Sequence, residues 1–125
     1  MIESYKDLIV WQKSMDLVES IYRISELLPS KEQFGLISQM RRAAVSIPSN
    51  IAEGYGRHSS GSYAQFLSIA RGSLLELETQ IELCIRLKYI QQSDSVNILN
   101  SIVEISKMLT SLITKIGSRQ VGSRQ

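Results

Sequence analysis

The run Phe66-Leu67-Ser68-Ile69-Ala70-Arg71-Gly72-Ser73-Leu74-Leu75-Glu76-Leu77-Glu78-Thr79-Gln80-Ile81-Glu82-Leu83-Cys84-Ile85-Arg86-Leu87-Lys88 decides the fold class. Phe66, Ala70, Leu74, Leu77, Ile81, Cys84 and Lys88 recur at steps of three and four. That near-heptad row lies along one face of an α-helix and suits packing against other helices. Leu67, Leu75, Leu83, Ile85 and Leu87 widen the row. Ser62 and Gln65 have the spacing of a capping box, so the helix is expected to open there and run to about Tyr89.

Working outward, the connection Arg57-His58-Ser59-Ser60-Gly61-Ser62 has loop composition. Before it, a second segment from about Glu32 to Tyr55 carries Leu36 or Ile37, then Met40, Ala44, Ile47 and Ile51 on one face. Ser30 and Gln33 match a capping box, and Gly54 with Gly56 should end the helix. Pro48 lies inside it. The periodicity resumes in phase beyond Pro48, which predicts a kinked helix rather than two helices. A first segment, Asp7 to Leu28, has two apolar rows: Leu8, Trp11, Met15, Val18 and Tyr22, and Val10, Leu17, Ile21, Ile24 and Leu28. Ser4 and Asp7 could form a loose capping box at its start, and Pro29 stops it. A fourth segment, Asp94 to Ile116, shows Leu99, Ile102, Ile105 or Ser106, Leu109, Leu112 or Ile113, and Ile116.

No hairpin-bounded alternation of strand type occurs. Four amphipathic segments with short connections predict an all-α protein, an antiparallel up-down-up-down four-helix bundle over residues 1–117. The repeated Gly-Ser-Arg-Gln near the end has no apolar row, so residues 118–125 are expected to be a disordered tail. The apolar faces of the first and third segments are wider than one thin bundle can bury, which predicts self-association.

The composition fits one domain with an ordinary globular core: 125 residues, 43% hydrophobic and 21% charged. No stretch approaches the roughly 20 consecutive apolar residues of a membrane span. The acidic opening Met1-Ile2-Glu3-Ser4-Tyr5-Lys6-Asp7 argues against a signal peptide, so a cytoplasmic location is expected. The net charge of +2 rests on the tail arginines Arg119 and Arg124, with the body neutral. A dedicated nucleic-acid binder usually shows a stronger basic bias.

Catalysis needs convergent groups, and few are present. His58, the one histidine, sits in a Gly/Ser loop and reads as solvated. Cys84, the one cysteine, sits in an apolar run and reads as a buried, inert thiol. No Cys, His and carboxylate set has metal-site spacing, and the Glu-x-x-His of bundle di-metal centres is absent. Gly54-Tyr55-Gly56 closes a helix and lacks the rest of a phosphate-binding fingerprint. No enzyme, metal or cofactor is expected.

One constellation remains. Arg41, Arg42, Asn50 and Glu53 on the second segment face Arg71, Glu76, Glu78 and Glu82 on the third. They could form an ion-pair network that fixes register between the helices. Alternatively, Arg41, Arg42, Arg57 and Arg71 could form a basic surface for phosphates, which the planar guanidinium fork suits. Tyr55 and Tyr63 would then be stacking partners for bases, or else ordinary amphipathic rim residues.

Several stretches resemble a known family. Ser4-Tyr5-Lys6-Asp7-Leu8-Ile9-Val10-Trp11-Gln12-Lys13, Phe34-Gly35-Leu36 with Gln39-Met40-Arg41-Arg42-Ala43, and Ser46-Ile47-Pro48-Ser49-Asn50-Ile51-Ala52-Glu53-Gly54-Tyr55-Gly56-Arg57 are similar to the bacterial four-helix proteins encoded in 23S rRNA intervening sequences. Tyr63, Phe66-Leu67, Ile69-Ala70, Gly72-Ser73 and Glu76 continue the likeness, which covers residues 4 to 90. The resemblance implies a homopentameric bundle around a central opening. It also implies kinship with accessory proteins of diversity-generating retroelements, which bind nucleic acid and a reverse transcriptase. The family name marks a genomic location, not an activity. The expectation is therefore a non-enzymatic oligomeric accessory protein that binds RNA or DNA through Arg41, Arg42, Arg57 and Arg71. The alternative is a protein-binding scaffold with no nucleic-acid role.

Overall fold

The computed structural model describes the backbone of residues 1–123 and side chains up to Gly117. Four helices make up the molecule: α1 (Ile9–Ser25), α2 (Leu36–Tyr55), α3 (Ser60–Arg86) and α4 (Gln92–Ser123). Short 3-10 turns at Tyr5–Asp7 and Ser30–Glu32 precede α1 and α2, and no strand occurs among the described residues. Each helix packs on its sequence neighbours and α1 closes on α4, while the backbones of the diagonal pairs stand further apart. The expected four-helix bundle is therefore the fold.

Specific contacts give the register between α2 and α3. The end of α2, at Gly54, lies against Tyr63 and Phe66 near the start of α3. Ser46 meets Ser73, Met40 meets Cys84, and Glu32 meets Tyr89. One series descends as the other ascends, so the two helices run in opposite directions.

The core is one cluster drawn from all four helices. It includes Leu17, Ile21, Met40, Ile47, Leu77 and Ile81, none more than 2% exposed. Removing about 100–150 Å² or more of apolar surface per side chain from water supplies the main stabilisation, at about 25 cal/mol per Å². Helix α4 is long and apolar enough, by length and composition, to cross a membrane. In the bundle it buries Ile98, Ile102, Ile105, Leu109 and Ile116 against its neighbours. Of its apolar window 22% is buried there, so the core accounts for part of the apolar character of this helix.

Pro48 lies within a single uninterrupted α2, buried with Ile47. Gly54 is a packing residue rather than the end of the helix. A Cβ there would lie 2.8 Å from Phe66 Cβ, so glycine lets the two helices approach closely. Gly56 caps the helix.

The helix starts differ from the expected capping boxes in two of three cases. Ser4 and Asp7 do form one, but it closes the 3-10 turn ahead of α1. Ser59, not Ser62, caps α3: its side chain accepts from the Ser62 N–H at 3.1 Å. The α3 helix thus starts at Ser60, earlier than its apolar row, because an N-cap needs only a polar side chain in extended conformation. Ser30 and Gln33 form no box, and α2 starts at Leu36. Its opening is served by Glu32, whose Oε1 accepts from the Leu36 N–H at 3.2 Å.

At its other end, α3 stops through a Schellman-type turn in which Tyr89 N–H donates to the Cys84 carbonyl. Lys88 takes the left-handed conformation there, φ 63°, in the place where glycine is usual. The backbone of helix α4 runs to Ser123. Arg124 and Gln125, the last of the tail expected over residues 118–125, lie outside the described residues.

Candidate functional site

The four arginines do not form one surface. Arg41 lies at the α1–α2 seam, with its guanidinium carbon 4.5 Å above the Tyr22 ring. Its Nε donates to Ser25 Oγ at 2.9 Å, and Nη2 reaches the Tyr22 carbonyl at 3.5 Å. The buried Ser25 hydroxyl itself donates to that carbonyl at 2.9 Å. Arg41 thus places a positive charge at the C-terminal end of α1, where the helix dipole favours it.

Arg57, roughly 24 Å further along the helix rise from Arg41, pairs with Glu53 at 2.9 Å and lies 4.6 Å over the Phe66 ring. Arg71 turns toward α4 and donates to Thr110 Oγ1 at 3.3 Å. Arg42 makes no hydrogen bond or ion pair among the described residues; it stands on the outer crest of α2, lining the groove on either side.

The ion-pair network expected between α2 and α3 is absent among the described residues, whose ion pairs are Lys13–Glu104 and Arg57–Glu53. Beside the apolar core, a single hydroxyl pair crosses the seam instead. Ser73 Oγ donates to Ser46 Oγ at 3.0 Å, and Asn50 Nδ2 donates to the Ser46 carbonyl and hydroxyl. The reason is steric. Small residues at Ala43, Ser46, Gly54 and Ala70 bring the helices close, and long charged side chains fan outward.

Tyr55 and Tyr63, expected either as stacking partners for bases or as rim residues, lie against each other. Tyr55 and Tyr63 pack edge to face on each other, with ring centroids 6.1 Å apart. Burial raises the Tyr63 phenol pKa, and the neighbouring Tyr55 adds to the shift. These rings belong to the bundle rim.

An open groove lies on the α1–α2 side. Tyr22, Phe34, Ile37, Arg41, Arg42 and Val45 line it, with a volume of about 670 Å³. Phe34 is 90% exposed, held outside the bundle by the turn between α1 and α2. A second open hollow, sharing Val45 with the first, is lined by Trp11, Met15, Val18 and Pro48. Sequence reasoning missed Phe34 as a surface residue; its signal was an aromatic isolated between Gln33 and Gly35, off any apolar row.

Other chemistry is sparse. Cys84 is buried, its Sγ 3.6 Å from Met40 Sδ, and burial, aided by the Glu32 charge, pushes its thiol pKa up to about 11. A thiol so protonated is a poor nucleophile. His58 is exposed in the α2–α3 connection. Among the described residues, no three His, Cys, Asp or Glu side chains gather as a metal site.

The chain matches the family described as 23S rRNA-intervening sequence protein over residues 6–111, most of its length. It belongs to that family. The match takes in most of α4, where the sequence resemblance was only of helical character. A solved structure from Bacteroides thetaiotaomicron, described as a protein of unknown function from the S23 ribosomal protein family, has 31% sequence identity and a TM-score of 0.78. The likeness covers 84% of this chain and 98% of that one. No curated protein matches the chain. The 23S rRNA-intervening sequence family thus accounts for the bundle, and the Bacteroides protein carries no stated activity that could be compared with the groove.

Proposed function

We propose that this chain is a non-enzymatic accessory protein that works as an assembly of copies and holds single-stranded nucleic acid in the α1–α2 groove. The observation that carries this reading is the exposed Phe34 ring in the same open groove as Arg41 and Arg42. An unpartnered aromatic face stacks on any base, and two adjacent guanidinium groups grip the flanking phosphates. Arg57 and Arg71 do not line this groove and have no part in it; Arg41, held over Tyr22 by its bonds to Ser25 and the Tyr22 carbonyl, lends the groove its charge. The modest charge of one groove is offset by repetition, and the family resemblance implies five copies.

Titration of a labelled single-stranded RNA at roughly 50 and 200 mM salt tests the reading. Two phosphate contacts per groove give a log–log slope of about −1.4, so affinity falls about sevenfold for each engaged copy. Phe34→Ala and Arg42→Ala should each weaken binding while leaving the helix content unchanged. Affinity that is absent, indifferent to salt, or untouched by both substitutions overturns it.

The separate apolar hollow lined by Trp11, Met15 and Val18 favours a second reading, a protein-binding scaffold. On that reading RNA affinity is absent, and Arg41→Ala lowers the melting temperature and nothing more.

A further inference from the structure

The turn between α1 and α2 supplies Gln33 and Phe34 to the open groove, yet the Phe34 ring is 90% exposed. A side chain so exposed has almost no packing of its own to hold it. Its position follows from its backbone, and Glu32 holds that backbone from several sides. The Glu32 N–H donates to the Pro29 carbonyl at 2.9 Å, and the Glu32 carbonyl accepts from the Gly35 N–H at 3.0 Å. The carboxylate reaches further: Oε1 accepts from the Leu36 N–H at 3.2 Å, and Oε2 accepts from the Tyr89 hydroxyl at 2.8 Å.

The far end of this tether is itself anchored. Tyr89 N–H donates to the Cys84 carbonyl at 3.0 Å, and the Tyr89 side chain packs against the core. The tie joins the turn to a part of the chain 57 residues away. Its acceptor is charged, which makes such a hydrogen bond stronger than one between neutral groups. Gly35 leaves room for it, since a Cβ there would stand 2.6 Å from Glu32 Oε1.

We infer that Glu32, through its bond to Tyr89, is a positioning residue for the groove: it fixes the turn so that Phe34 is held where a base can stack on it. A ring already held loses less freedom on binding, so the complex is tighter. Without the tie the turn moves, and the same ring must be ordered at each encounter. The effect on affinity rests on the proposed nucleic-acid reading; the ordering of the turn does not.

Tyr89→Phe removes the hydroxyl, keeps the ring and leaves the bond from Leu36 to Glu32 in place. Fluorine NMR of protein labelled with 4-fluorophenylalanine reads the turn directly. Phe34 and Phe66 are the two phenylalanines, and Phe66, on α3, serves as the internal reference. In Y89F the Phe34 resonance should narrow while Phe66 keeps its width. Affinity for the single-stranded RNA should fall about three- to tenfold in Y89F. The same substitution should change nothing where Phe34 is already alanine. A general loss of stability would instead disturb both resonances and weaken binding in both backgrounds. A Phe34 width that Y89F leaves unchanged overturns the inference whether or not RNA binds. Equal weakening with and without the Phe34 ring, or a narrowed resonance with full RNA affinity, overturns the positioning role. A parent with no RNA affinity overturns the proposed function and the effect on affinity together, and the resonance alone then decides the ordering of the turn.

Discussion

Helix α2 meets α3 along one edge and α1 along the other, and the two seams are built from different residues. Toward α3 the chain is small and polar where the backbones come close, with Ser46 against Ser73 and Gly54 against Phe66. Toward α1 it is bulky: Arg41 lies over Tyr22, and Val45 and Pro48 face Trp11, Met15 and Val18. Small residues bring the first seam close at Gly54 and leave a smaller hollow of about 300 Å³ beside Ala43, Ser46, Ser73 and Glu76. Large ones prop the second open into a groove. One helix therefore packs closely along one edge and borders an open groove along the other.

The largest expected contrast is between two apolar truncations on α2. Met40 is fully buried against Cys84, so Met40→Ala should cost about 3 kcal/mol through lost burial and the cavity left behind. Val45 is 41% exposed in the groove, and Val45→Ala should cost less than about 0.5 kcal/mol. Urea unfolding of the two variants measures both; equal costs would erase the distinction between the seams.

Gly54→Ala sharpens the same comparison with a smaller effect. A new methyl would meet Phe66 Cβ at 2.8 Å, an atom fixed to the backbone that cannot swing away. Overpacking of about 1–3 kcal/mol outweighs the gain in helix propensity of about 1 kcal/mol. The variant should be net destabilised by about 1 kcal/mol. A higher melting temperature would show that α2 and α3 are not in tight contact there.

The bundle was legible in the sequence because burial imposes a period on it. The rows through Leu17, Met40, Leu77 and Leu109 mark the faces that became core. What periodicity does not encode is the partner of a long charged side chain. Arg41 and Glu76 stand on facing helices, yet Arg41 turns to Tyr22 and Ser25 while Glu76 accepts from Gln80. Helix spacing, set by glycine and serine, decides such choices, and it emerges only when the helices pack. The groove was hidden for a related reason: Phe34 belongs to no row, and its exposure follows from the turn that carries it. The caps failed where a residue outside the usual position took over, as Glu32 did for α2.

That cap gives the smallest effect, and one that depends on pH. Glu32 Oε1 accepts from the Leu36 N–H at 3.2 Å and Oε2 accepts from the Tyr89 hydroxyl at 2.8 Å. The Leu36 N–H first, and then the Tyr89 hydroxyl, lower its carboxyl pKa below the ordinary value of about 4.5. A folded pKa below the unfolded one means the native state prefers the carboxylate. Its contribution is complete above pH 4.5 and fades as pH falls through the folded value. The same hydrogen bond raises the Tyr89 phenol pKa, so at the alkaline end that contribution is lost as pH climbs above about 10. Glu32→Gln keeps the shape and removes the charge. It should melt below the parent at neutral pH, and the gap should close as the parent's carboxyl protonates. Melting curves taken from pH 7 downward follow that convergence. A gap of constant size would mean that the carboxylate charge adds nothing to the start of α2, and that the seam toward α3 depends on its small residues alone.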